Sequence, residues 1–276
     1  MKRLALCNEV IRDLPFVRQC ALAAQLGYQG LEIAPFTLGD EAYGMPGGER
    51  AAVRQAAADH GIAVCGLHWL LVAPENLSIT TADRAAWERT VDVMRRLIEL
   101  CVDLGGSYLV HGSPAQRRLD PADPAGSAER AIEAWAAIAP DAVAARVTYC
   151  IEPLAPRETD LVNTVADAAA IVERIACPAV RTMIDTSAAG LAEAEPVEAV
   201  IERWMPTGLV AHVQLNDRNR RGPGQGNDRF APILEALKRS SYTGWLAMEP
   251  FDYVPDGPTC AARSIGYVAG ILEGLA

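Results

Sequence analysis

Four apolar runs each carry one acid or imidazole: Ile151-Glu152-Pro153, Ile184-Asp185-Thr186, Ala211-His212-Val213 and Met248-Glu249-Pro250. An ionised carboxylate within an apolar strand is costly unless a positive group pairs it. No lysine or arginine stands in these runs, so the set calls for a cation. Three carboxylates and one imidazole are a hard, mostly oxygen donor set. It suits one divalent metal, Mn2+ first with Mg2+ or Co2+ as alternatives, better than a zinc–thiolate site would. Any one such residue at a strand end is usually a hydrogen-bonded structural residue. Four in register on four successive strands are harder to explain that way.

The elements that must position them follow from periodicity. Short apolar, β-branched runs fall at Arg3–Asn8, Gly30–Pro35, Ala63–Trp69, Tyr108–Ser113, Thr148–Leu154, Thr182–Thr186, Val210–Leu215 and Trp245–Phe251. Between them lie alanine- and leucine-rich stretches with helical spacing, among them Phe16–Leu26, Gly48–His60, Ala85–Leu104 and Val165–Ile175, and a tail helix over Cys260–Leu275. Strand and helix alternating in units of this length are parallel βαβ units. Eight of them predict a closed (β/α)8 TIM barrel, as one domain over residues 1–276. Gly27, Gly61 and Gly105 stand where helices should end in a left-handed cap. Three longer connections, after the third, fourth and seventh strands, leave the strand C-termini, the face where barrel active sites are built.

Bulk properties narrow the partners. The 276 residues carry a net charge of −10, which repels phosphate backbones and argues against nucleic acid and anionic membranes. No apolar run is long enough to span a bilayer, and the opening Met1–Cys7 run is broken too early by Asn8, Glu9, Arg12 and Asp13 to act as a signal peptide. Seven scattered cysteines without a CxxC predict free thiols in a reducing, cytoplasmic setting.

Several stretches resemble the xylose-isomerase-like barrel superfamily, and within it the ketose 3-epimerases that act on tagatose and psicose. They are Val110-His111-Gly112-Ser113-Pro114 with Gln116-Arg117, Ile151-Glu152-Pro153-Leu154 with Arg157-Glu158-Thr159-Asp160, Met183-Ile184-Asp185-Thr186, His212-Val213 with Asn216, Arg218 and Gly222–Gly226, and Met248-Glu249-Pro250-Phe251. The resemblance implies Glu152, Asp185, His212 and Glu249 as metal ligands and Glu152 and Glu249 as the acid–base pair. It also implies Glu158 and Arg218 as contacts to substrate oxygens, a small carbohydrate as substrate, and the option of a homo-oligomer. The implied reaction is proton abstraction beside a metal-bound carbonyl on a keto sugar or related sugar acid, giving an epimerase or isomerase.

Two positions depart from that pattern. A histidine expected three residues after Asp185 is Ala188, and a glutamate expected three residues after His212 is Leu215. The first leaves room for a metal-dependent lyase or dehydratase of a keto-sugar or inosose on the same barrel. His68 and His111, at the ends of the third and fourth strands, are candidates to replace the missing imidazole as substrate donors. Trp69, with Phe36 and Phe251, is a candidate wall for a sugar. The run Asn216–Arg221, with three arginines, could take a carboxylate or phosphate on the substrate.

Overall fold

The computed structural model describes residues 3–275. Eight parallel strands close into a barrel in chain order: β1 (Arg3–Cys7), β2 (Gly30–Ile33), β3 (Ala63–Leu67), β4 (Tyr108–His111), β5 (Thr148–Ile151), β6 (Val180–Asp185), β7 (Val210–Leu215) and β8 (Trp245–Met248), which pairs back onto β1. The (β/α)8 expectation is met. The outer ring comprises α1 (Phe16–Leu26), α2 (Gly47–Asp59), α3 (Arg84–Leu104), α4 (Pro124–Ala145), α5 (Val165–Ile175), α6 (Thr186–Ala192), α7 (Val197–Trp204), α8 (Phe230–Arg239) and α9 (Gly257–Gly274).

Local chemistry sets the boundaries. The Asp83 side chain accepts hydrogen bonds from the Ala85 and Ala86 N–H groups at the start of α3, and Gly105 closes that helix at φ 95°. Thr164 and Asp167 form a reciprocal capping box at the start of α5. Helix α3 presents Trp87, Val91, Met94, Ile98, Cys101 and Leu104 at helical spacing and buries that stripe in the layer between barrel and helices. Inside the barrel, Ala5, Cys7, Cys65, Tyr108, Val110, Cys150, Met183 and Ala247 form a second, smaller apolar cluster. All seven cysteines are free, six of them buried.

Two boundary differences shape the site. β5 and β8 stop three residues before the ends of their apolar runs, at Ile151 and Met248. Pro153 and Pro250 lack the N–H that a further rung would need, so Glu152 and Glu249 project just past the last paired residues. After β6, a seven-residue helix that apolar periodicity does not announce, α6, starts at once. Asp185 caps it, its Oδ1 accepting from the Ala188 N–H at 2.6 Å.

Candidate active site

Glu152, Asp185 and Glu249 meet at the C-terminal mouth of the barrel. All three are buried, and they offer oxygens that lie within 4.8 Å of one another. Each is held from behind. The Arg117 Nη1 donates to the Glu152 carbonyl oxygen at 2.7 Å. The Asn216 Nδ2 donates to the Asp185 Oδ2 at 2.5 Å, while its Oδ1 accepts from the Glu249 N–H at 3.0 Å. Room for the Glu152 carboxylate exists only because residue 112 is glycine: a Cβ there would fall 1.6 Å from its Oε2.

The electrostatics are those of a site short of positive charge. Burial raises the Glu152 carboxyl well above its usual value, and the charges of Glu249 and Asp185 add to this against the opposing Arg117. Burial lifts Asp185 to about 7 despite its bonds to Ala188 and Asn216. Burial lifts Glu249 to about 8 although His68 pulls the other way. Arg117 is fully buried and depressed by that burial only to about 10, so it remains one permanent cation beside three acids. A hard divalent cation fits this donor set.

His212 does not join the three carboxylates: the cluster within 4.8 Å is made without it. Its ring lies deeper in the barrel, stacked on Tyr108 at 4.2 Å between centroids, with Nε2 3.0 Å from Glu32. The reason is the period of the strand. His212, Gln214 and Asn216 are alternate residues of one face, and only Asn216 reaches Asp185 and Glu249. Gln214, between them, donates to Glu32 at 2.7 Å and leaves its Oε1 buried without a partner. Burial pushes Glu32 up, but His212, His68 and the Tyr108 hydroxyl outweigh it and hold the carboxyl down at about 2.

The other candidates divide. His68 is fully buried rather than exposed to the mouth, and its Nδ1 lies 2.7 Å from Glu249 Oε1. On its far side Nε2 lies 2.9 Å from Glu9 Oε2, so the imidazole bridges two acids. Burial works against protonation of His68, but Glu9 and Glu249 raise it well above its usual value. His111 points the other way. Tyr108 and Val110 face the barrel interior, so strand alternation turns His111 toward α4. There its Nδ1 lies 2.8 Å from the Tyr149 hydroxyl and accepts from the Trp135 Nε1 at 3.1 Å. Burial, aided by the Arg117 charge, drops it to about 3, which keeps it neutral and structural.

Above the carboxylates lies a cavity of about 250 Å3, bordered by Trp69, Gly112, Pro114, Arg118, Glu152, Leu154, Arg157, Glu158, Arg220, Glu249 and Phe251. Its size suits a small ligand. Glu158 and Trp69 are on its wall. Trp69 is braced edge-on by Phe36 and Phe251 at 5.4 and 5.6 Å, with its backbone at φ 51°. A bulky residue in that region is strained, and such strain collects at functional sites. Arg218 is not on the wall. Its Nε donates to Asp228 at 2.7 Å, and its chain packs on Gly190, outside the central cavity. Arg220 takes that place instead. The loop reverses at residue 220, with φ 70°, and its guanidinium sits 5.4 Å from the Phe251 ring.

Comparison with known proteins now decides the family. The model of the xylose isomerase-like TIM barrel matches residues 20–269. The chain belongs to that family. It is 28% identical over 232 residues, 83% of its own length and 76% of the relative's, to a D-psicose 3-epimerase of Agrobacterium fabrum. It is 24% identical to a probable ketose 3-epimerase of Synechocystis, over 74% of this chain and 70% of that one. The fold matches a crystal structure of D-psicose 3-epimerase obtained with D-fructose, at a TM-score of 0.82 and 22% identity over 99% of both chains. Glu9, Glu32 and Gln214 are residues around the site that sequence reasoning missed, while Asn216 was singled out only as part of a motif. For Glu32 and Gln214 the one signal was a polar residue within an apolar strand, and Glu9 lies in the turn that follows β1.

Proposed function

We propose that this chain is a divalent-metal-dependent epimerase or isomerase of a small keto sugar or related sugar acid, with Glu152 and Glu249 as its acid–base pair. The observation that carries the reading is the placement of these two buried carboxyls, both raised in pKa, on the wall of one small cavity. Kinship with ketose 3-epimerases supports the substrate class.

Glu152, Asp185 and Glu249 would hold the cation, with Mn2+ the best match to the oxygen donors and Mg2+ or Co2+ next. When bound, such a cation supplies Lewis-acid polarisation of a substrate carbonyl. The protein's own part is proton handling. A carboxyl near 8, such as Glu249, is matched to accepting and returning a proton at neutral pH. His68 fixes that carboxylate through Oε1, and Asn216 fixes its backbone. Glu152 is constrained by Gly112 on one side and by the Arg117 bond to its carbonyl on the other. Trp69 and Phe251 supply an apolar wall that excludes water from a sugar face. The free state of every cysteine supports a reducing, cytoplasmic setting.

The test is proton exchange. With Mn2+ restored to metal-stripped protein, a ketose of the right class incubated in D2O should gain deuterium at the carbon beside its carbonyl. Glu152→Gln and Glu249→Gln should abolish the gain. Exchange that survives both substitutions would remove these residues from the chemistry, and loss of water in place of exchange would move the reaction to elimination.

A further inference from the structure

Three arginines from three different loops border the central cavity: Arg118 after β4, Arg157 after β5 and Arg220 after β7. None of the three guanidiniums has a carboxylate partner among the described residues. The contrast within one loop is direct. Arg218 is bound to Asp228 and Arg221 to Asp252, while Arg220 between them turns into the cavity and has only the face of Phe251. On the outer helices Arg174 is tied to Glu129 and Arg239 to Glu202, while Arg18, Arg54 and Arg263 stand singly on separate helices without a carboxylate partner among the described residues. What sets Arg118, Arg157 and Arg220 apart is that three unpaired guanidiniums converge on one opening.

Offsetting the acidic floor does not explain them. Arg117, fully buried, is the arginine whose charge acts on the Glu152 carboxyl. Arg157 and Arg220 also border a narrow recess of about 20 Å3 that Glu152, Asp185 and Glu249 share with Glu158. A molecule seated on the three carboxylates therefore lies within the same walls as these two guanidiniums, with Arg118 further out. The missing imidazole at position 188 fits this shift in recognition. Ala188 borders the recess and offers no side-chain donor, which leaves cations as the chief donors on the wall.

We propose that the substrate is an anionic ketose, and that Arg118, Arg157 and Arg220 read a carboxylate or phosphate monoester on its chain. Guanidinium forks match both groups bidentately. The proposal rests on the reading of the cavity as a ketose site, and it narrows that site to charged members.

The experiment is equilibrium binding by calorimetry to the Mn2+-loaded protein, with D-fructose, D-fructose 6-phosphate and D-fructuronate as matched probes. At least one anionic probe should bind tenfold or more tighter than D-fructose, and its affinity should fall with added salt because the arginines are exposed. Arg118→Gln, Arg157→Gln and Arg220→Gln should each reduce the anionic-to-neutral affinity ratio by about tenfold or more, the usual range for losing a charge-assisted bond. The two anionic probes separate carboxylate from phosphate. Equal or tighter binding of D-fructose, or variants that weaken all three probes by the same factor, would overturn the proposal. Deuterium exchange on the same probes reports the other reading independently. Anion-selective binding without exchange upholds the arginine site and removes the proton-transfer function, and exchange on D-fructose without anion selectivity does the reverse.

Discussion

Replacing Glu152 by glutamine should make the metal-free protein more stable while destroying its activity. Glu152, Asp185 and Glu249 offer oxygens within 4.8 Å of one another. Two unit charges at 4.8 Å repel by about 3 kcal/mol at an effective dielectric near 20. A carboxyl whose pKa is raised in the fold stays protonated there while its unfolded counterpart ionises. Its contribution is therefore fully present below about pH 4 and is lost as pH climbs through the folded value. With Asp185 at about 7 and Glu249 at about 8, the metal-free fold loses stability between about pH 4 and 8. At pH 8 a carboxyl at position 152 is either ionised against Asp185 or held protonated against its unfolded ionisation, and glutamine escapes either cost, about 3 kcal/mol by the charge repulsion. For a chain of this size that is a rise in Tm of about 6 °C or more. The assay is thermal unfolding in EDTA at pH 8 and pH 5, for both proteins. The gain should be large at pH 8 and small at pH 5, where the carboxyls are already protonated. Added Mn2+ should stabilise the parent protein far more than Glu152→Gln. An equal shift at both pH values, or destabilisation at pH 8, would refute a mutually repelling cluster and with it the cation site.

Mn2+ affinity should rise from pH 5 to pH 8 and then level off, because binding must displace protons from Asp185 and Glu249; calorimetry in two buffers of different ionisation enthalpy should show proton release at pH 6, and its absence would contradict the raised carboxyls. Gly112→Ala should fold normally yet lose metal affinity, since its Cβ displaces the flexible end of Glu152 and not the backbone; Mn2+ titration with circular dichroism as the folding control checks both halves. His68→Asn should lower the exchange rate about 10–100-fold with little change in KM, as expected for a group that orients a ligand without touching substrate; a change confined to KM would place His68 against the substrate instead.

The family likeness to ketose 3-epimerases constrains chemistry more firmly than it constrains substrate. The proposed acid–base carboxylates sit at strand ends, where barrel geometry dictates their position. The cavity wall is built largely from the segments after the strands: Ala188 in α6 offers no donor, Arg218 is turned away to Asp228, and Arg220 is turned in. A small set of wall residues can change the ligand while carboxylates at strand ends stay in place.

The alternation of apolar runs and helical stretches determined the barrel, because parallel βαβ units with periods 2 and 3.6 leave few ways to bury both layers. Glu152, Asp185 and Glu249 were legible for a similar reason: an acid at the end of an apolar strand has a predictable direction and an evident need for a cation. What the sequence could not show was depth and facing. His212 is also an imidazole in an apolar strand, yet it lies four residues before Asn216 and meets Glu32 and Tyr108 inside the barrel. His111 ends a strand as His68 follows one, but the pleat sends it to Trp135 while His68 reaches Glu249. Arg218 and Arg220 share a loop, and a single left-handed turn decides which one faces the cavity. Those choices depend on register across strands and on the path of loops. Both are settled by contacts between residues far apart in the chain, so only the tertiary structure could decide them.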